Sequence, residues 1–105
     1  MLNNNSCCIK YLILIAGRKH KTALLNALSK SGGKLIEVVY GKGSVKSNYL
    51  SDMFGLVHEE NKILVTCLLP GDKVKAVFDM LIEKFDFDKP NTGIAFTIAV
   101  EALAV

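Results

Sequence analysis

The chain has 105 residues, half of them apolar, and a formal charge of +3 at pH 7. That length predicts a single domain, 1–105, with one modest core. The mild charge, interleaved with acids, lacks the basic stripe of a nucleic-acid binder, so no nucleic-acid partner is expected.

The N-terminal MLNNNSCC has neither the positive start nor the long apolar stretch of a signal peptide, and residues 1–7 are expected to be flexible. Cys7, Cys8 and Cys67 do not make a disulfide framework. Reduced thiols suit a cytoplasmic protein, and no apolar run approaches the ~20 residues of a membrane span.

IKYLILIA (9–16) is a nearly unbroken apolar, β-branched run and predicts a buried strand. In RKHKTALLNALSKSGG (18–33) the period changes. Leu24, Ala27 and Leu28 share one helical face, and Gly32-Gly33 predict its end. KLIEVVY (34–40) and NKILVTCLL (61–69) predict the second and third strands, with Cys67 acting as a small buried hydrophobe. DKVKAVFDMLIEKF (72–85) places Val74, Val77, Phe78, Leu81 and Phe85 on one helical stripe, with Ile82 beside it. Asp72, just after Pro70-Gly71, is the expected N-cap. IAFTIAV (94–100) predicts the last strand.

The order β-α-β-β-α-β predicts an α+β, ferredoxin-like fold: a four-stranded antiparallel sheet, two helices on one face, and a long loop between strands 2 and 3. The strands carry a second message. Ile9, Tyr11, Ile13 and Ile15 alternate with Leu12, Leu14 and Ala16, and the third and fourth strands are likewise apolar on both sides. Two helices cover only one face, so another subunit is expected on the other.

The connection GKGSVKSNYLSDMFGLVHEEN (41–61) is longer than two strands need. Tyr49, Leu50, Met53, Phe54, Leu56 and Val57 crowd into it. They predict either a segment folded onto its own oligomer or an arm whose apolar tip docks into a partner. GRKHKT (17–22) lacks the second glycine of a P-loop and reads as a basic first helical turn. His20 and His58 have no i,i+4 or C-x-x-C companions for a metal, and no nucleophile–base pair is evident, so enzyme activity is not expected.

SGGKLIEVVYGKGSV, the long loop, a third strand ending in P-G-D, and KPNTGIAFTIAVE together resemble the nitrogen-regulatory P-II signalling family, nearest its P-II-like branch. The resemblance covers essentially residues 8–101. It implies a homotrimer with the sheets facing inward. It also implies that 42–60 is the T-loop, which contacts a target such as a membrane transporter or metabolic enzyme, with Tyr49, Leu50, Met53, Phe54 and Leu56 as its contact residues. The implied ligand cleft lies between subunits. It would use Gly41, Lys42, Gly43, Ser44 and Val45 at the loop base, Thr92, Gly93 and Ile94 at the B-loop, and Leu68 near a base.

Three departures bear on the ligand. Ser44-Val45 replace Arg-Gln, Ile94 replaces a lysine, and the C-terminal arginines are missing. An adenine nucleotide is the implied ligand class, but these losses remove charge-assisted contacts to a triphosphate. They point to a smaller or less charged ligand, AMP-like or an inorganic anion. The alternative reading is a trimeric metal-ion-binding protein of the CutA kind, which shares the fold.

Overall fold

The computed structural model describes residues 9–42, 61–89 and 92–104. Along them run β1 (Ile9–Gly17), a 3-10 turn (Arg18–His20), α1 (Lys21–Lys30), β2 (Lys34–Lys42) and β3 (Asn61–Pro70). A second 3-10 turn (Gly71–Lys73), α2 (Val74–Phe85) and β4 (Gly93–Ala99) complete the order. The strands form one sheet in the order β2-β3-β1-β4, with every neighbouring pair antiparallel. This is the α+β, ferredoxin-like arrangement that the order of elements predicts. Each helix carries the chain over the sheet, and in this sheet the strands it joins leave room for one strand between them. β3 therefore enters between β1 and β2.

The alternation within the strands decides which side is core. Leu12, Leu14 and Ala16 of β1 and Ile63, Val65, Cys67 and Leu69 of β3 are buried, and they pack against Leu24 and Leu28 of α1 and Val77 and Leu81 of α2. Each leucine in this layer contributes about 1.5–3 kcal/mol by leaving water. No polar residue is buried among the described residues. Burial pushes the Cys67 thiol above its ordinary pKa, because the thiolate would lose its hydration there.

The opposite face is apolar too, and nothing covers it in the single chain. Across the sheet, Ile98, Tyr11 and Leu68 are in register, as are Ile94, Ile15, Leu64 and Val39. Val39, Phe96 and Ile98 are 56%, 43% and 49% exposed. The two-sided apolar pattern is thus real.

Helix ends depart from expectation in one place. Gly32, at φ 100, ends α1, and the Gly33 N–H donates to the Leu28 carbonyl at 2.9 Å. That is the glycine stop the sequence predicts. Asp72, by contrast, is not an N-cap. Pro70 leads into the 3-10 turn, Lys73 precedes α2, and neither turn nor helix has a side-chain cap bond. The tight turn after Pro70 takes up the residues where a cap would have formed. α2 ends on Asp86, itself left-handed at φ 59, with the Phe87 N–H donating to the Leu81 carbonyl at 3.2 Å. The segments 1–7 and 43–60, including the expected arm, lie outside the described residues.

Candidate functional site

Two chain ends at one end of the sheet hold most of the residues singled out from sequence. Gly41 and Lys42 close β2, opposite Lys62 and Asn61 of β3. Thr92 precedes β4, whose first residues, Gly93 and Ile94, lie opposite Ala16 and Ile15 of β1. Since Ala16 and Ile63 are also partners, these pairs fall within a row or two of one another. They are nonetheless far apart sideways. β2 and β4 are the two outer strands, and three strand spacings separate them by about 14 Å.

Leu68 lies elsewhere. It faces Tyr11 and Lys34, six residues along β3 from Lys62 and hence about 20 Å away. Gly43, Ser44 and Val45, with Tyr49, Leu50, Met53, Phe54 and Leu56, lie outside the described residues. One chain therefore does not bring the expected site residues together. It carries one group on each flank and a third at the far end.

The two glycines of the site differ in kind. A side chain on Gly93 would run into the Phe87 ring, with an added Cβ only 2.6 Å from Cζ. Packing within the chain accounts for that glycine. Gly41 is the reverse case: an added Cβ meets nothing within 4 Å, and its φ lies outside the left-handed region. Among the described residues, neither packing nor backbone conformation requires a glycine there. What its bare backbone leaves is room for close approach from outside.

Beside Gly41 is a shallow depression of about 240 Å³, lined by Ile15, Val39, Gly41, Lys62, Ile63 and Leu64. It is smaller than the ~300–1,000 Å³ of a complete small-molecule pocket. The Gly93 flank has a separate recess of about 170 Å³ between α2 and β4, lined by Phe78, Leu81, Ile82, Phe87, Asp88 and Ala95. Both are mainly apolar hollows, and neither gathers the convergent cations that a triphosphate would need.

One residue near Leu68 gave no signal in the sequence. The β2–β3 register slips between Lys34 and Glu37, and inside the slip Leu35 adopts φ 53 with 75% of its surface exposed. A leucine in the left-handed region is strained, and nothing in the smooth run KLIEVVY marks it. Among the described residues no group of three or more His, Cys, Asp or Glu side chains could hold a metal, and no helix is long and apolar enough to cross a membrane. His20 is half-buried, with its ring edge-on to Phe85 at 6.0 Å between centroids.

No family model and no curated protein matches the chain by sequence. Solved structures do match in fold. CPII from Thiomonas intermedia, solved bound to ADP, AMP and acetate, superposes with a TM-score of 0.66 at 23% identity over 90% of each chain. A protein from Thermus thermophilus, described as a PII-like signalling protein, gives 0.65 at 15% identity over 89% of this chain and 87% of that one. A Bacillus cereus protein related to NIF3 gives 0.63 at 10% identity, over 90% of this chain but only 26% of the larger one. The fold is therefore that of nitrogen-regulatory PII-like structures, and it also occurs as one part of a larger protein.

Proposed function

We propose that the chain is a P-II-like regulatory protein that works by binding. Three copies associate through their open sheet faces, and a small anionic ligand sits between the loop base of one copy and the β4 entrance of the next. The 42–60 arm then carries the ligand's effect to a target such as a transporter or metabolic enzyme. A ligand at the loop base that also touches the arm shifts the population of arm conformations, and only some of these fit the target.

One observation carries the reading. The candidate ligand residues fall on opposite flanks of a sheet whose uncovered face is apolar, so a second chain would both cover the face and complete the site. The incomplete depression at Gly41 and the lack of any intrachain need for that glycine agree with this. CPII supplies the choice of ligands to try, since its structures hold ADP and AMP with acetate or bicarbonate.

The test is thermal stabilisation by ATP, ADP, AMP, bicarbonate, acetate, 2-oxoglutarate and divalent metals, because a ligand of the native state raises the midpoint by mass action. Gly41→Val is the informative variant, as its side chain has space within its own chain. Stabilisation by AMP or ADP that Gly41→Val removes, at unchanged ligand-free stability, is the expected result. An unresponsive protein, or a shift that Gly41→Val leaves intact, would place the ligand elsewhere or remove it from the account.

A further inference from the structure

The basic turn GRKHKT has no part in the site above, and it lies on the helix side of the sheet. Arg18 and Lys21 both come to Tyr40 of β2. The Arg18 guanidinium carbon is 4.9 Å from the ring centroid and the Lys21 Nζ is 5.2 Å from it. Lys19, between them, is exposed.

Three features set this group apart from an ordinary solvated charge run. First, the cations occupy the turn leading into α1 and its first residue, and neither first turn holds an acid. The positive end of a helix disfavours cations. Second, neither Arg18 nor Lys21 makes an ion pair or a side-chain hydrogen bond among the described residues, and the Arg18 Nε is buried with no acceptor. Third, both charges lie near one ring although like charges repel. Cation–π attraction offsets part of that repulsion and orders two otherwise mobile side chains. The arrangement opposes local stability, and among the described residues no acid offsets either charge.

We propose that Arg18 and Lys21, held over Tyr40, form a docking surface for an acidic segment of a partner polypeptide. The chemistry discriminates among anions. A guanidinium offers paired N–H groups, which suit the two oxygens of a carboxylate. The Tyr40 ring is already engaged by two cations, which leaves it poorly placed to stack a nucleobase. The turn lacks the converging backbone N–H groups that cradle a free phosphate. Nor does a net charge of +3 supply the broad basic field that a membrane or nucleic acid requires. Two cations brought to one ring favour a segment that carries more than one carboxylate. The surface is on the opposite side of the sheet from the uncovered face.

The test uses the full chain and a short fluorescein-labelled peptide of alternating Glu and Ser, followed by anisotropy at low and at physiological salt. Saturable, salt-sensitive binding is expected. Arg18→Gln and Lys21→Gln should each weaken it by roughly tenfold, the scale of one charge-assisted contact. Arg18→Lys should recover only part of the loss, and Tyr40→Leu should weaken binding with both charges still present. Lys30→Gln, the same charge change at the exposed far end of α1, about 13 Å along the helix from Lys21, should stay within about twofold, as expected of a screened distant charge. The proposal is overturned if the peptide does not bind, or if Arg18→Gln and Lys21→Gln behave like Lys30→Gln. It is equally overturned if a single-stranded oligonucleotide or phosphatidylserine vesicles bind more tightly than the peptide and through the same residues.

Discussion

Gly93→Ala separates packing from ligand binding at the β4 entrance. An added methyl would sit 2.6 Å from Phe87 Cζ and 2.9 Å from both Cε atoms, whereas carbon contacts are comfortable at about 3.5–4.0 Å. The ring must withdraw by about 1 Å. It has somewhere to go, since the recess of about 170 Å³ formed with Phe78, Leu81, Ile82, Asp88 and Ala95 adjoins it. The expected penalty is therefore at the lower end of overpacking, about 1–2 kcal/mol. For a chain of this length that lowers Tm by roughly 5–15 °C. In a Phe87→Ala background the same Gly93→Ala change should cost nearly nothing, because the clashing ring is gone. Thermal or urea unfolding of the four proteins at one concentration gives the coupling directly. A Gly93→Ala protein as stable as its parent would refute the packing account. If it also lost ligand stabilisation, the glycine would belong to the ligand instead.

Other perturbations probe other levels. Ile98→Glu puts a charge on the uncovered face at a position 49% exposed in the single chain. It should convert an oligomer to monomer in sedimentation or light scattering, and an unchanged mass would put the association elsewhere. Leu81→Ala, in the core at 1% exposure, should cost about 2–5 kcal/mol in chemical denaturation. Lys75→Ala, which breaks a 3.1 Å pair with Asp79 on exposed α2, should change stability by no more than about 0.5 kcal/mol. Because burial raises the Cys67 pKa, its contribution is complete below the ordinary thiol range and declines as pH rises through the folded value. Unfolding midpoints should fall more steeply above about pH 8.5 than in Cys67→Ala, and parallel pH profiles would dismiss the effect.

The fold was legible because the periods are clean. The apolar run 9–16 marks a strand and the stripe Val77-Leu81 a helix face, and Gly32-Gly33 end α1 for a reason visible in the letters. What escaped depends on backbone geometry that side-chain types do not report. Asp72 is a good cap residue, but Pro70 sends the chain into a 3-10 turn before α2 can begin. Leu35 belongs to a β-branched run, yet a slipped register turns it into the left-handed region and out to solvent. At the site, Gly41-Lys42 and Gly93-Ile94 prove to be strand ends. Their sideways separation comes from strand order, which no local run of sequence reports. The Arg18–Tyr40 contact joins residues of two elements and was visible only as a basic turn on one side and a strand end on the other.

The two main anomalies of the isolated chain, the bare apolar face and the divided site, have one physical remedy. A soluble protein that leaves Val39, Phe96 and Ile98 in water on one sheet face forgoes stabilisation that a partner copy could recover. In the trimer proposed above the sheet edges of neighbouring copies would meet, and Gly41 and Gly93 lie on such edges at the same end. A ligand held where two edges meet would contact both copies, so its binding would depend on assembly and stabilise it by linkage. Ile98→Glu and Gly41→Val should then differ in a specific way. The first should abolish both association and ligand response, while the second should abolish the response alone. A monomeric Ile98→Glu protein that still responds fully to AMP or ADP would separate the two features and remove the case for a shared site.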